Sequence, residues 1–244
     1  MKKLSLLLLL FAAFQACKTP DIRVHPELKA ESTRYEVKGR QGWMINQVVT
    51  FGEYNTSRIK RGWTVKYDLP FIVRFQGASE KLSYTQYDAD SNRAEVSAIG
   101  KFRNTELPII NDYFGIPLNY KHYFAGTVYV PSSGRNYDFI LYNPTTNWVL
   151  LKTNGYVKGN QLDYNIVGVR KLEGKKYWGI ENLGYEFYDG PQARAAVEVI
   201  NKGKVWLHDA LSQEHKLVMA AVATALMIRN SELDEPIEQI PPTN

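Results

Sequence analysis

Residues 217–228 read Leu-Val-Met-Ala-Ala-Val-Ala-Thr-Ala-Leu-Met-Ile, and Thr224 is the only polar side chain among them. The run is rich in Ala, Leu and Met and contains neither Gly nor Pro, a composition that favours helix. Ser212, followed by Gln213 and Glu214, suits a helix start, and the whole helix is expected over about 212–230. At 1.5 Å per residue the apolar run is roughly 18 Å long, too short to cross a bilayer. A helix that is apolar on every face has to be surrounded on every face. Whatever else the chain forms must therefore enclose this segment.

The remainder reads as β-structure. The chain carries 16 Tyr, 10 Phe and 5 Trp, with many Val and Ile, residues that suit strands. In residues 93–103, Ala94, Val96, Ala98 and Phe102 alternate with Arg93, Glu95, Ser97, Lys101 and Arg103. Phe71, Val73 and Phe75 alternate with Ile72, Arg74 and Gln76, and Leu162, Tyr164 and Ile166 with Gln161, Asp163 and Asn165. A period of two with one polar face marks antiparallel strands packed on one side. Turn signals at 88–92, 131–134, 143–144, 154–155, 159–160, 173–174 and 201–203 divide residues 34–208 into about twelve to fourteen candidate strands. Residues 104–119, with Pro108, Gly115 and Pro117, read as the one long irregular connection and hence the candidate functional loop.

An all-β chain with one wholly apolar helix has an economical solution: a closed antiparallel barrel of about twelve strands wrapped around the C-terminal helix. The alternative is a lipocalin-like barrel with the helix packed outside, which would call for a polar helix face. In residues 185–229 the layout resembles the tubby-like superfamily, with its LURP-one-related and phospholipid-scramblase-like members. It runs through a strand ending at Asp189-Gly190, a strand through Val197 and Val199, Lys204-Val-Trp-Leu207 and then the apolar helix. The resemblance implies a barrel closed around that helix; it transfers no binding residue.

The N-terminus carries an address. Lys2 and Lys3 precede an apolar run over residues 4–14, too short for a membrane span and typical of an export signal. Phe14-Gln15-Ala16-Cys17 ends the run, and Cys17 is the single cysteine of the chain. This end resembles the lipobox of bacterial lipoproteins in its relaxed, aromatic form familiar from the Bacteroidetes. The resemblance implies cleavage before Cys17 and acylation of its sulfur. Lys18, rather than an acidic residue, follows it, which by the same resemblance implies an outer-membrane lipoprotein of the cell envelope. Residues 18–33, polar and holding Pro20 and Pro26, read as a flexible tether. One domain is expected over residues 34–230, and an acidic tail over 231–244.

Chemistry is sparse. The net charge of +5, two units of which leave with Lys2 and Lys3, implies no nucleic-acid partner. The histidines are His25, His122, His208 and His215. They lack the spacing of a metal-binding helix, and with Cys17 acylated no thiol remains for zinc. No nucleophile elbow and no phosphate-cradling Gly loop occurs, so no cofactor, metal or catalytic group is expected. His208-Asp209 and Glu214-His215 read as a polar cluster at a barrel mouth or as solvated residues at the helix start. Asp88, Asp90 and Asn92 fail as a calcium loop because Arg93 stands at the sixth position and Ile99 at the twelfth; a hairpin turn accounts for them. Arg58, Lys60, Arg61, Trp63 and Lys66, with Tyr67, form the densest basic and aromatic stretch, read either as a patch for anionic lipid headgroups or as a solvated hairpin face. The function expected is that of a non-enzymatic binding or structural module, anchored to the membrane and meeting anionic headgroups or another envelope protein. The alternative is a carrier of a lipid or other apolar ligand inside a lipocalin-like barrel.

Overall fold

The structure, a computed structural model, describes residues 20–40, 46–62, 80–100, 123–142, 154–175 and 182–229. Its strands are β1 (Ser32–Glu36), β2 (Thr50–Phe51), β3 (Tyr54–Thr56), β4 (Lys60–Arg61), β5 (Glu80–Tyr87), β6 (Arg93–Gly100), β7 (Tyr123–Val130), β8 (Arg135–Tyr142), β9 (Asn154–Gly159), β10 (Leu162–Val169), β11 (Gly184–Asp189), β12 (Gln192–Glu198) and β13 (Lys204–His208). Two helices accompany them, α1 (Pro26–Ala30) and α2 (Gln213–Ile228). All strands belong to one antiparallel meander, with β1 added beside β13. β3 and β4 both pair with β5 and act as two halves of one bent strand.

The two edges of this sheet meet. Lys38, just past β1, pairs with Thr50 at the start of β2 through reciprocal backbone hydrogen bonds of 2.8 and 3.0 Å. The result is an antiparallel barrel of twelve strands, nearly closed, in which the edge strands are joined rather than exposed. Inward positions follow the period of two. In β6, Ala94, Val96 and Ala98 face in, as the alternation predicts, and in β10 Leu162, Tyr164 and Ile166 do so. The stretch containing Phe71, Val73 and Phe75 lies outside the described residues.

Inside the barrel lies α2. Every residue from Leu217 to Ile228 is buried, and the helix shares one apolar cluster with the inward faces of β5 to β13. The arrangement with an external helix is excluded. Ser212 caps the start, its hydroxyl accepting the His215 N–H at 3.2 Å. Large inward rings such as Tyr137, Phe139, Tyr185 and Phe187 are almost fully enclosed, and each such side chain contributes about 1.5–3 kcal/mol on burial. Gly126 on β7 makes room for one of them: a Cβ there would overlap the Phe139 ring.

The helix's few polar groups meet β5. Thr224 donates to Gln86 Oε1 at 2.9 Å, and Gln86 Nε2 donates to the Asn55 carbonyl at 3.0 Å. Tyr84 donates its hydroxyl to the Ala221 carbonyl at 2.6 Å. Burial pushes the Tyr84 phenol well above its ordinary pKa, so it remains a donor. The two bonds that reach α2, from Tyr84 and to Gln86, select one rotation of the helix about its axis, because a slip by one residue would leave the same groups dry and unpaired.

Residues 20–31 differ from the expected tether. They run as a strap along the outer wall, where Ile22, Val24 and Leu28 are buried against Val169, Leu183, Ala193, Ala196 and Trp206. Outward-facing Trp206 and Leu183 are apolar and need cover, and the strap supplies it. α1 forms within it, begun by Pro26 at its first turn.

Two outcomes are expected from this packing. Val222→Asp or Leu226→Asp would bury a lone carboxylate inside the barrel and prevent folding, whereas Thr224→Val should cost about 1–3 kcal/mol by leaving the Gln86 carbonyl unpaired. Denaturant unfolding measures the second. Hydrogen exchange should place the α2 amides among the slowest of the chain, opening only with global unfolding.

Candidate functional site: the loop-bearing end of the barrel

The two ends of the barrel are built differently. At the end where α2 begins, the strands are joined by short turns at 88–92, 131–134, 160–161 and 190–191. At the end where α2 stops, the joining segments are 37–49, 62–79, 101–122, 143–153 and 170–183, with a short turn at 199–203. The consistent up-and-down order forces this division, since odd and even connections leave from opposite ends. Long connections on a rigid frame are where binding surfaces are usually carried. The expected functional loop, 104–119, falls within one of these segments and outside the described residues.

At this loop end the C-terminus of α2 is held by arginines from other elements. Arg40 donates from Nε to the Met227 carbonyl at 3.1 Å and from its two terminal nitrogens to the carbonyls of Val199, Ile200 and Asn201. Arg61 donates to the Ile228 carbonyl at 2.9 Å. The last turn of α2 contains no basic residue of its own, so these cations supply both the missing donors and the charge that complements the helix dipole. Burial lowers the Arg40 guanidinium from its usual pKa, an effect opposed by nearby Glu198. Arg229, just past the helix, donates to the Tyr185 hydroxyl and lies 5.3 Å from that ring. Gly39 precedes Arg40 at φ +75°, and a Cβ there would run into the Val48 carbonyl, so only glycine lets Arg40 turn inward.

Of the basic patch expected from the sequence, the strand period separates the members. Arg61 pairs with Leu82, an inward position, and reaches the helix end; Lys60 pairs with Ser83 on the outer wall. Arg58, Lys60 and Arg61 are all exposed. Trp63, Lys66 and Tyr67 lie outside the described residues, as does Cys17.

The polar residues at the turn end divide between separate contacts. His208 meets Glu31 at 3.0 Å and Asp209 accepts from Thr33 at 2.8 Å, tying the strap and β1 to β13. Glu214 instead accepts from Tyr137 at 2.6 Å and Ser133 at 3.0 Å and faces Arg135 at 3.4 Å, while the His215 ring stands edge-on to Tyr137. Asp88 accepts the backbone N–H groups of Asp90 and Asn92, forming a tight hairpin turn, and Gln213 Nε2. Among the described residues no group of three His, Cys, Asp or Glu side chains converges as metal ligands would.

The strap is held by two buried carboxylates that sequence reading passed over. Glu198, fully enclosed, accepts the Ile22 N–H at 3.0 Å and lies 4.0 Å from Lys204. Burial raises its pKa, though the Ile22 N–H, Lys204 and Asn201 counter the effect. Glu186 accepts the His25 N–H at 2.5 Å and the Tyr188 hydroxyl at 2.7 Å. An open groove of about 420 Å³ lies beside it on the outer wall, lined by Tyr156, Asn165, Val167, Tyr188 and Gly190. Glutamates set in apolar strands, Glu186 inside β11 and Glu198 at the end of β12, were the available signal, since a buried carboxylate demands a donor.

Arg40→Met should lower stability by about 1.5–3 kcal/mol, and Arg40→Lys should not restore it, because an ammonium lacks the planar fork that reaches several carbonyls; denaturant titration tests both. The Glu214 carboxyl provides a pH test. Burial alone would raise it, but the bonds from Tyr137 and Ser133 and the charge of Arg135 outweigh burial and hold it below the usual carboxylate range. A depressed pKa stabilises the fold above the unfolded value of roughly 4.3 and loses that contribution as pH falls through the folded value. Wild type should therefore exceed Glu214→Gln in stability at pH 7, by about 0.5–1 kcal/mol, and the difference should disappear towards pH 3.

Compared with the known protein families, with curated proteins and with solved structures, the chain matches none.

Proposed function

We propose that this protein is a lipid-anchored module of the bacterial cell envelope, held in the outer membrane through Cys17. It acts there by binding at its surface and carries out no chemistry. The observation that carries this reading is the filled barrel. A carrier needs enclosed apolar space, and here α2 takes the interior while the open groove lies on the outer wall. Recognition then falls to the outer wall and to the connections at the loop end. The layout, a barrel of twelve strands around a C-terminal helix, is the one that the resemblance to the tubby-like superfamily leads one to expect, and the anchor is the one that the lipobox-like end implies. Partners of matching chemistry are anionic lipid headgroups, met by Arg58 and Lys60 with the neighbouring Trp63 and Lys66, or another envelope protein. Arg61 is set apart from this group because its guanidinium is engaged with the helix end.

Cys17→Ser should release the protein from the membrane fraction or leave it unprocessed, and should abolish incorporation of a labelled fatty acid. Equal labelling in the variant would overturn the anchor. The paired reversal Arg58→Glu/Lys60→Glu should weaken co-sedimentation with anionic liposomes several-fold at low salt, with little difference at high salt, because headgroup attraction is screened within a Debye length. Arg61→Glu should instead destabilise the fold. If the full-length protein lacking its lipid ignores anionic liposomes at low salt, Arg58 and Lys60 are merely solvated.

A further inference from the structure

We propose that the loop end of the barrel is the face that lies against the bilayer, an anionic lipid surface carrying the lipid on Cys17. The inference rests on the reading of Cys17 given above and adds an orientation to it.

The first observation is where the strap begins. Asp21 is paired with Lys204 and Arg34. Ile22 donates to buried Glu198 and pairs with Leu172. Arg23 donates its N–H to the Lys171 carbonyl at 2.7 Å, and Glu173 donates to the Asp21 carbonyl at 2.8 Å. Glu198 ends β12, Lys204 starts β13, and Lys171 to Glu173 follow β10, so apart from Arg34 in the middle of β1 these partners stand at the loop end. From there the strap runs to the turn end, where Ser32 pairs with His208. The chain is therefore clamped from Asp21 onward, and three residues lie between it and Cys17, which leaves four Cα-to-Cα steps. Fully extended, they span about 14 Å. Strands of up to eight residues, tilted as barrel closure requires, make the barrel wall roughly 20 Å long. A lipid on Cys17 reaches the loop end easily, while the turn end stands beyond the leash.

The second observation is charge. Lys38, Lys171, Lys175 and Lys202 are exposed on the connections of the loop end. Glu173 is exposed among them, whereas the turn end carries Asp90, Asp163, Asp189 and Asp209 against exposed Arg93 and Arg135. Such a division turns the basic end towards an anionic surface, each cation near it contributing to attraction. Val48, the large apolar side chain that stands exposed among the described residues, at 39 %, also belongs to a loop-end connection. The residues following α2 in sequence include acidic Glu232, Asp234 and Glu235, so the leash carries the orientation and the lysines reinforce it.

The experiment uses the full-length acylated chain in vesicles of phosphatidylethanolamine and phosphatidylglycerol that contain a headgroup-labelled acceptor lipid. With Cys17 blocked by its lipid, a cysteine introduced by Lys171→Cys, Lys202→Cys, Ser132→Cys or Asp163→Cys takes a donor dye uniquely. Energy transfer to the acceptor should be at least threefold greater from the loop-end positions 171 and 202 than from the turn-end positions 132 and 163. In neutral phosphatidylcholine vesicles, a twelve-residue Gly-Ser insertion between Lys18 and Thr19 should largely remove the difference. Equal transfer from both ends in the native chain, or an insertion without effect, overturns the orientation. A protein that floats with vesicles equally well as wild type and as Cys17→Ser, or in neither form, shows the anchor itself to be misread, and the orientation falls with it.

Discussion

Everything in this fold depends on the enclosure of α2. A helix with Thr224 as the one polar side chain of its buried run is insoluble by itself and too short for a bilayer. The sheet can enclose it only by closing. The bridge between Lys38 and Thr50 brings the two sheet edges together and leaves the ring nearly closed, covering edges that an antiparallel meander would otherwise present. Both helix ends then need partners, because the carbonyls and N–H groups of the terminal turns cannot bond within the helix. Ser212 meets the need locally at the start. Arg40 and Arg61 meet it at the end, from positions far away in the chain.

Closure also sorts the connections. In an up-and-down barrel the turns alternate between ends, so a chain with tight turns at every second connection is free to elaborate all the others at one end. This one does so. The same end receives the C-terminus of the helix and its arginines, the exposed lysines and the start of the strap. The turn end is occupied by compact hydrogen-bonded contacts, among them Glu214 with Tyr137 and Asp88 with its own hairpin, which hold the helix start in register.

The strap bears on the anchor proposed at Cys17. A free tether would let the barrel sample every orientation above a membrane. A segment with Ile22 and Leu28 buried and its N–H groups given to Glu198 and Glu186 does not. Polar and apolar terms act together here: the strap covers Trp206 and Leu183, and the carboxylates that receive it would be costly to bury without its donors.

The sequence by itself determined what depends on neighbours along the chain. The apolar helix, its Ser212 cap and the inward faces of β6 and β10 were legible because periods of 3.6 and 2 survive in any fold that buries one side. The enclosure of the helix was legible too, since no polar stripe was present to face water. The tertiary structure decided what depends on residues far apart. Residues 20–31 show no periodicity and contain two prolines, and they read as tether; their burial is set by a wall formed by residues more than a hundred positions away. Lys60 and Arg61 read as one patch, and the pairing register with β5 places them on opposite faces. Arg40 carried no signal, because its partners are backbone carbonyls, and backbone carbonyls have no sequence. Cys17 stands at the other limit: its meaning is local, read from the residues before it. The side of the barrel from which the chain leads back to it is known only once the strap has been placed.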